Sequence, residues 1–381
     1  MSEWMTKGLR VFGLALYCVV FPTLSLVGCE AESRIPVAPA DVTFLVPLTA
    51  DATRAESRGR YGVLVPRGHF DHIAATEPLT VVDEPDALYE ALTVVAVRLD
   101  PCFSEGSGEP SCASQVRLVL QPVVPAAPGT SELTTRDAAI HAFYAVPRAE
   151  LDDLTASLSR LREDDGMTLG GHPDPARAME LVLRYIGAER LVRITHMSVH
   201  GSNEAWIFGG FDVIPVPGAP DGGQRRAIPI VGIERDEDAD PAHQDRFRFE
   251  QHLTSTGATE DLDATLIPDP IIEPDIVDFL AASRRASLAP AAREASLAAL
   301  NRLLDPGHHN PGTVDCASCH VATSALRFAT RDTPDLTDLV APAYDDTRNQ
   351  RMFGFFGAVP SISRRVHLET DAVVERLNAY D

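Results

Sequence analysis

Residues 313–325 read TVDCASCHVATSA, with Cys316 and Cys319 two residues apart and His320 directly after the second. Paired thiols at this spacing suit three chemistries: covalent attachment of a haem, binding of a soft metal, or thiol–disulfide exchange. For haem, thioethers join the two sulfurs to the porphyrin vinyl carbons. One turn of chain presents both sulfurs along one ring edge, and the next histidine projects beneath the iron as its axial ligand. Six cysteines and twelve histidines in 381 residues would give only about 0.003 accidental matches to this pattern.

Each remaining cysteine has a separate expected fate. Cys102 and Cys112 flank FSEGSGEPS, a loop between the apolar runs ALTVVAVRL and VRLVLQPVV. Those runs read as strands and the loop as a hairpin connection. In an oxidising compartment a Cys102–Cys112 disulfide is expected, contributing on the order of 2–3 kcal/mol for so short a loop. Cys18 lies inside an apolar run from Val11 to Val27, behind Lys7 and Arg10. A positive segment followed by such a run is the pattern of an export signal. For a transmembrane helix the run is short, and it contains Pro22.

That run ends in LVGC, Leu26 to Cys29, which resembles the lipobox of bacterial lipoproteins. The resemblance implies a signal peptide over 1–28 and a lipidated Cys29 as the mature N-terminus, held in a lipid bilayer. More than one acyl chain makes such an anchor stable. Glu30, a non-Asp residue after the cysteine, implies sorting to the outer membrane, on its periplasmic or cell-surface face.

The elements that must position the motif follow from the hydrophobic pattern. Residues 29–40 read as a tether. From 41 to 270 strand-like segments (DVTFLVPL, GVLVPRG, the paired runs above, HAFYAV, AWIFGGFDVIPV) alternate with helical ones. Leu151, Leu154, Leu158 and Leu161 form one helical stripe. In DPARAMELVLRYIG, Asp174 is placed to cap and Gly187 to end a helix. An α+β domain with an antiparallel sheet or sandwich is expected here. IPDPIIEPD, 267–275, reads as a linker. Beyond it, PDIVDFLAASRRAS, PAAREASLAALNRLLD and LETDAVVERLNAY all have helical patterns, so 276–381 is expected to be all-α.

With CASCH, residues 276–381 resemble a monohaem c-type cytochrome domain, in which an N-terminal and a C-terminal helix pack over the haem. The resemblance implies one haem c, Cys316 and Cys319 as its thioether attachments and His320 as the proximal iron ligand. It leaves the distal ligand open among Met352, His367, His308, His309 and an open site. Phe353, Phe355 and Phe356 beside Met352 are placed to wall an apolar crevice. The segment Asp305–Asp315 separates helix and motif more widely than in small cytochromes.

The expected function is electron transfer by a membrane-anchored haem lipoprotein with a redox or protein partner, an electron carrier more than an enzyme. The alternative is a binding or scaffold lipoprotein in which CASCH is a thiol–disulfide or zinc site, helped by His308 or His309; HHx₆CxxCH is not a common zinc pattern. A di-haem peroxidase is disfavoured because the sequence holds a single CxxCH. A net charge of −22 excludes nucleic acid as a partner. Lys7 is the only lysine, so no lysine-ringed docking face exists. The pairs His69/His72 and His196/His200 read as ordinary surface or core histidines, and no acid/base pair or Ser/His/Asp set stands out.

Overall fold

The structure is a computed structural model that describes residues 35–76, 84–104, 112–165, 175–200, 205–216, 223–227, 247–255, 262–264, 289–307, 320 and 353–379. Residues 35–381 form one compact unit. A short helix α1 (Pro39–Val42) leads into β1 (Thr43–Leu45). The small strands β2 (Arg58–Gly59) and β3 (Gly62–Val63) precede helices α2 (Arg67–Thr76) and α3 (Pro85–Ala91). The long strands β4 (Leu92–Ser104) and β5 (Cys112–Pro125) follow, then β6 (Leu133–Thr135) and β7 (Ala138–Ala145). Helices α4 (Arg148–Asp165) and α5 (Pro175–Leu183) come next. After them run β8 (Leu191–His200), β9 (Ala205–Pro215), β10 (Gly223–Ala227), β11 (Phe247–Ser255) and β12 (Leu262–Ala264). The described C-terminal elements are helix α6 (Pro290–Leu304), the hairpin β13 (Phe353–Phe356) and β14 (Val359–Ile362), and helix α7 (Arg364–Asn378).

The fold is α+β, built on a ten-stranded antiparallel sheet in the order β1-β4-β5-β7-β8-β9-β11-β12. β6 shares an edge of β5 with β7, and β10 shares an edge of β9 with β11. These strands make one sheet, with the β2/β3 and β13/β14 hairpins apart from it, so the arrangement is not a sandwich of two stacked sheets.

Alternation assigns one face of this sheet to a large apolar core. Val97, Leu118, Ala142, Ile194 and Phe211 stand opposite one another across five strands and are all buried. The α4 stripe of Leu151, Leu154, Leu158 and Leu161 closes over this face, joined by Phe70, Ile73, Leu88, Ala178 and Val182. Each such leucine contributes roughly 1.5–3 kcal/mol by leaving water. The polar ends of the aromatic residues are satisfied: Tyr144 donates to the carbonyl of Leu64 at 2.9 Å and Tyr89 to that of Val65 at 2.7 Å. Gly187 is fixed by close approach, at φ 148°, since a Cβ there would lie 2.3 Å from the backbone of Tyr61.

The described C-terminal elements pack on the opposite face and the β1 edge. Here the sequence expectation of an all-α region needs correcting, because FGFFGAVPSI makes a hairpin. Its glycines explain why: Gly354 adopts φ 151° and Gly357 φ 60°, conformations that favour glycine. The Gln121 side chain of β5 grips the Phe355 backbone twice. Its Nε2 donates to the carbonyl at 2.9 Å, and its Oε1 accepts from the amide at 2.7 Å. Phe353 and Phe355 are buried, whereas Phe356 is exposed.

Helix α6 forms where PAAREASLAALNRLLD predicts, burying Leu300, Leu303 and Leu304. Helix α7 starts before LETDAVV, at a Ser363 cap whose hydroxyl accepts from the Val366 amide, and buries Val366, Val373 and Leu377. Asn378 bonds both backbone groups of Val37 at 3.0 Å, tying the end of α7 to the start of the unit. The segment 1–28 expected to direct export, Cys29, the expected Asp174 cap, the expected linker 267–275 and PDIVDFLAASRRAS lie outside the described residues. Among the described residues no helix is long and apolar enough to cross a membrane.

Candidate functional site

The face opposite the apolar core is organised in rows that run across the strands. One row is Thr43, Arg98, Arg117, Phe143, Arg193 and Asp212; the next is Leu45, Ala96, Val119, His141, Thr195 and Gly210. The first row is polar and largely buried. The second is apolar from Leu45 to Val119 and turns polar at His141.

Over the first row lies Glu369 of α7. It pairs with Arg98 and, at 2.6 Å, with Arg365, whose own Nη1 donates to the carbonyl of Leu303 at 3.0 Å. The Arg365 and Arg98 side chains are only 2% and 6% exposed. Burial alone would raise the Glu369 pKa. The guanidiniums of Arg98, Arg365 and Arg117 outweigh it and hold the carboxyl below the usual carboxylate range. Arg193 and Asp212 form a separate pair at 2.7 Å.

Arg117 lies 5.7 Å over the ring of Phe143, and His141 packs against the same ring with centroids 6.5 Å apart. His141 is half-buried. Burial first, then the charges of Arg117 and His320, hold its imidazole well below the ordinary value, so it is neutral. The smallest of these influences comes from His320, the histidine of CASCH. No known protein family, curated protein or solved structure matches this chain.

The fate of the other sequence-predicted residues is uneven. Cys29, Cys316, Cys319, Met352, His308 and His309 lie outside the described residues. His320 is helical and half-buried. His367 sits in the first turns of α7; burial lowers its pKa, Asp371 pulls it back up and Arg364 lowers it further. The neighbours of His367 in α7, Val366 and Thr370, face the β1–β4 side, where Thr370 donates to the Thr43 hydroxyl at 2.9 Å. Cys102 is disulfide-bonded. The β4–β5 register sets Ser104 opposite Cys112, whose side chain is outside the described ones.

Three further described histidines, His69, His72 and His196, lie on the apolar face. His69 and His72 of α2 both contact Phe211, with centroids 5.6 and 5.4 Å away, and Arg225 Nη1 lies 3.4 Å from His69 Nδ1. His196 is buried on the same face. Among the described residues no group of three His, Cys, Asp or Glu side chains is arranged to hold a metal ion.

Sequence reasoning passed over His141. The signal was there in HAFYAV: Ile140, Ala142 and Tyr144 share the core face, so His141 must stand on the other one. What alternation could not supply was its surroundings, Arg117 over the Phe143 ring beside it.

Among the described residues, the side chains available toward a covalent haem are few, since Cys316 and Cys319 lie outside them. They are an axial-type imidazole, His320, and separately a guanidinium, Arg117, over an aromatic ring, Phe143. Their chemistry suits iron ligation, a carboxylate-bearing macrocycle and its apolar surface, respectively.

Proposed function

We propose that this chain is an exported lipoprotein that holds one haem c through Cys316 and Cys319, with His320 as its proximal ligand, and transfers electrons. The observation that carries this reading is CASCH itself, whose chance occurrence is remote. When bound, the haem supplies reversible one-electron chemistry at its iron. Cys316 and Cys319 would fix its edge, and His320 would hold its iron from one side. Phe143 would offer apolar surface to the ring, and Arg117 a positive charge beside it. The buried Arg98–Glu369–Arg365 cluster would keep α7 and the sheet in one rigid arrangement, which suits a carrier that must not reorganise as it changes charge.

Lipidation at Cys29 would confine the carrier to a membrane surface, with the outer membrane as the expected address. Support for export comes from Cys102, which is disulfide-bonded, as chains in oxidising compartments commonly are. The C-terminal region would then be a haem segment docked on a sheet, not a free-standing all-α cytochrome.

Expression with its signal in a bacterium that has haem-attachment machinery tests the reading. Acid–acetone extraction of the purified chain should leave the colour on the protein, and Cys319→Ser should abolish covalent retention. A chain that binds zinc and stays colourless would instead favour the scaffold alternative.

A further inference from the structure

We infer that the contact between His69 of α2 and Arg225 of β10 is an acid-released latch. It holds β10 against α2 while the imidazole is neutral and opens when the ring is protonated. The inference is independent of the haem reading.

The geometry decides which protonation state the contact needs. Arg225 Nη1 lies 3.4 Å from His69 Nδ1. A guanidinium only donates, so Nδ1 must accept, and the imidazole must be neutral with its proton on Nε2. A protonated ring donates from both nitrogens. It therefore loses this contact and sets a second positive charge beside the first. His69 is fully buried, so water cannot screen the two charges as it would at the surface.

Position gives the contact its leverage. Among the described strands β10 pairs with β9 alone, and Arg225 stands opposite Val213 in the rows of the apolar face. Helix α4 is secured to that face by four leucines. Helix α2 brings Phe70 and Ile73 to the core, but it meets Phe211 through the imidazoles of His69 and His72. His196 of β8 is buried on the same face. Clustered histidines at a packing surface are the usual chemistry of acid-sensitive contacts.

The other charged and titratable groups around the helix have these places. On α2, Arg67 pairs with Asp71 and with Asp86 of α3. Tyr89 of α3 and Tyr144 of β7 donate to the carbonyls of Val65 and Leu64, just before α2. On β9, Asp212 belongs to the opposite face and pairs with Arg193; Arg226 of β10 shares its row. The β11 register sets Arg248 opposite Gly209 and Glu250 opposite Ile207.

The sign follows from the neutral ring. The opened state takes up the proton first, so the latch weakens as pH falls below about 6.5, the ordinary imidazole value.

Hydrogen–deuterium exchange of the full chain tests this, corrected for intrinsic rates, at pH values of about 7.5 and 5.5, the lower lying within the imidazole range and above the ordinary carboxylate one. Amides of 67–76 and 223–227 should exchange about tenfold faster at the lower pH, while those of 151–161 keep their protection. His69→Gln, whose side-chain carbonyl can accept from Arg225 at either pH, should keep the neutral-pH protection and abolish the step. Nitrogen NMR of the wild-type ring should show the Nε2–H tautomer at the higher pH.

Wild-type exchange that does not respond to pH would overturn the inference. So would a step of equal size in His69→Gln, or a His69 ring with its proton on Nδ1 at neutral pH. Should His69→Gln fail to fold, the wild-type step and the wild-type tautomer still decide the matter.

Discussion

The two faces of the central sheet are built on different physics. The helix-covered face is held by apolar burial: Leu151, Leu154, Leu158 and Leu161 of α4 over Val97, Leu118, Ala142 and Ile194. The opposite face buries charge. Arg98, Arg365 and Glu369 sit almost out of water, with Arg117 and His141 beside them. An apolar face tolerates change in proportion to the volume lost. A buried ionic cluster is all-or-nothing, because removing one partner strands the others in a medium that cannot solvate them.

This contrast is open to measurement, beginning where the effect should be greatest. Glu369→Gln removes the carboxylate that Arg98 and Arg365 share, leaving Arg98 its longer pair with Asp100 at 3.5 Å, and should cost about 3–5 kcal/mol of unfolding free energy in denaturant titration. Leu158→Ala, on the apolar face, should cost about 3 kcal/mol through lost burial and a residual cavity. If the leucine truncation proves the more damaging by a wide margin, the ionic cluster is not what holds α7 to the sheet.

The cluster should also declare itself in acid. The folded Glu369 carboxyl titrates below its ordinary value of 4.5, so the unfolded chain takes up the proton first as pH falls. Its contribution is therefore complete above that value and is lost on going further down toward the folded pKa. The stability gap between wild type and Glu369→Gln should accordingly be constant from neutral pH to about pH 5 and narrow below pH 4. A gap independent of pH would assign the Gln variant's defect to shape and not charge.

Substitution of Gly354 by Ala should cost about 1–3 kcal/mol, because φ 151° disfavours a side chain and its Cβ would stand 2.6 Å from Gln121 Oε1. The smallest effect is expected at Glu150, which meets Arg190 in a two-pronged pair at 2.7 and 2.9 Å on the periphery of the apolar face. With the carboxylate 36% exposed, Glu150→Gln should cost less than about 1 kcal/mol.

Legibility follows the same division. The apolar face could be read because its signals are periodic and local: the four α4 leucines recur at helical spacing, and the β4–β5 runs alternate around an obvious loop. β10 was missed because GQRRA offers no apolar alternation. The β13–β14 hairpin escapes a helical pattern because FGFFG advertises its aromatics, while the glycines that bend it say nothing about where it docks. On the charged face, Arg98, Arg117 and Glu369 look like solvated surface residues until the sheet order and α7 bring them together. CASCH was legible as chemistry from five residues, whereas the burial of His141 beside Phe143 and Arg117 is visible only in the folded register.

The central claim is that Cys316 and Cys319 carry a haem, and the intact mass of the exported, denatured chain tests it most directly. Wild-type protein should weigh one haem more than the processed polypeptide, and the Cys316→Ser/Cys319→Ser double variant should lose that increment entirely. A wild-type mass equal to the processed polypeptide alone, from a host that matures other c-type haem proteins, would contradict the account.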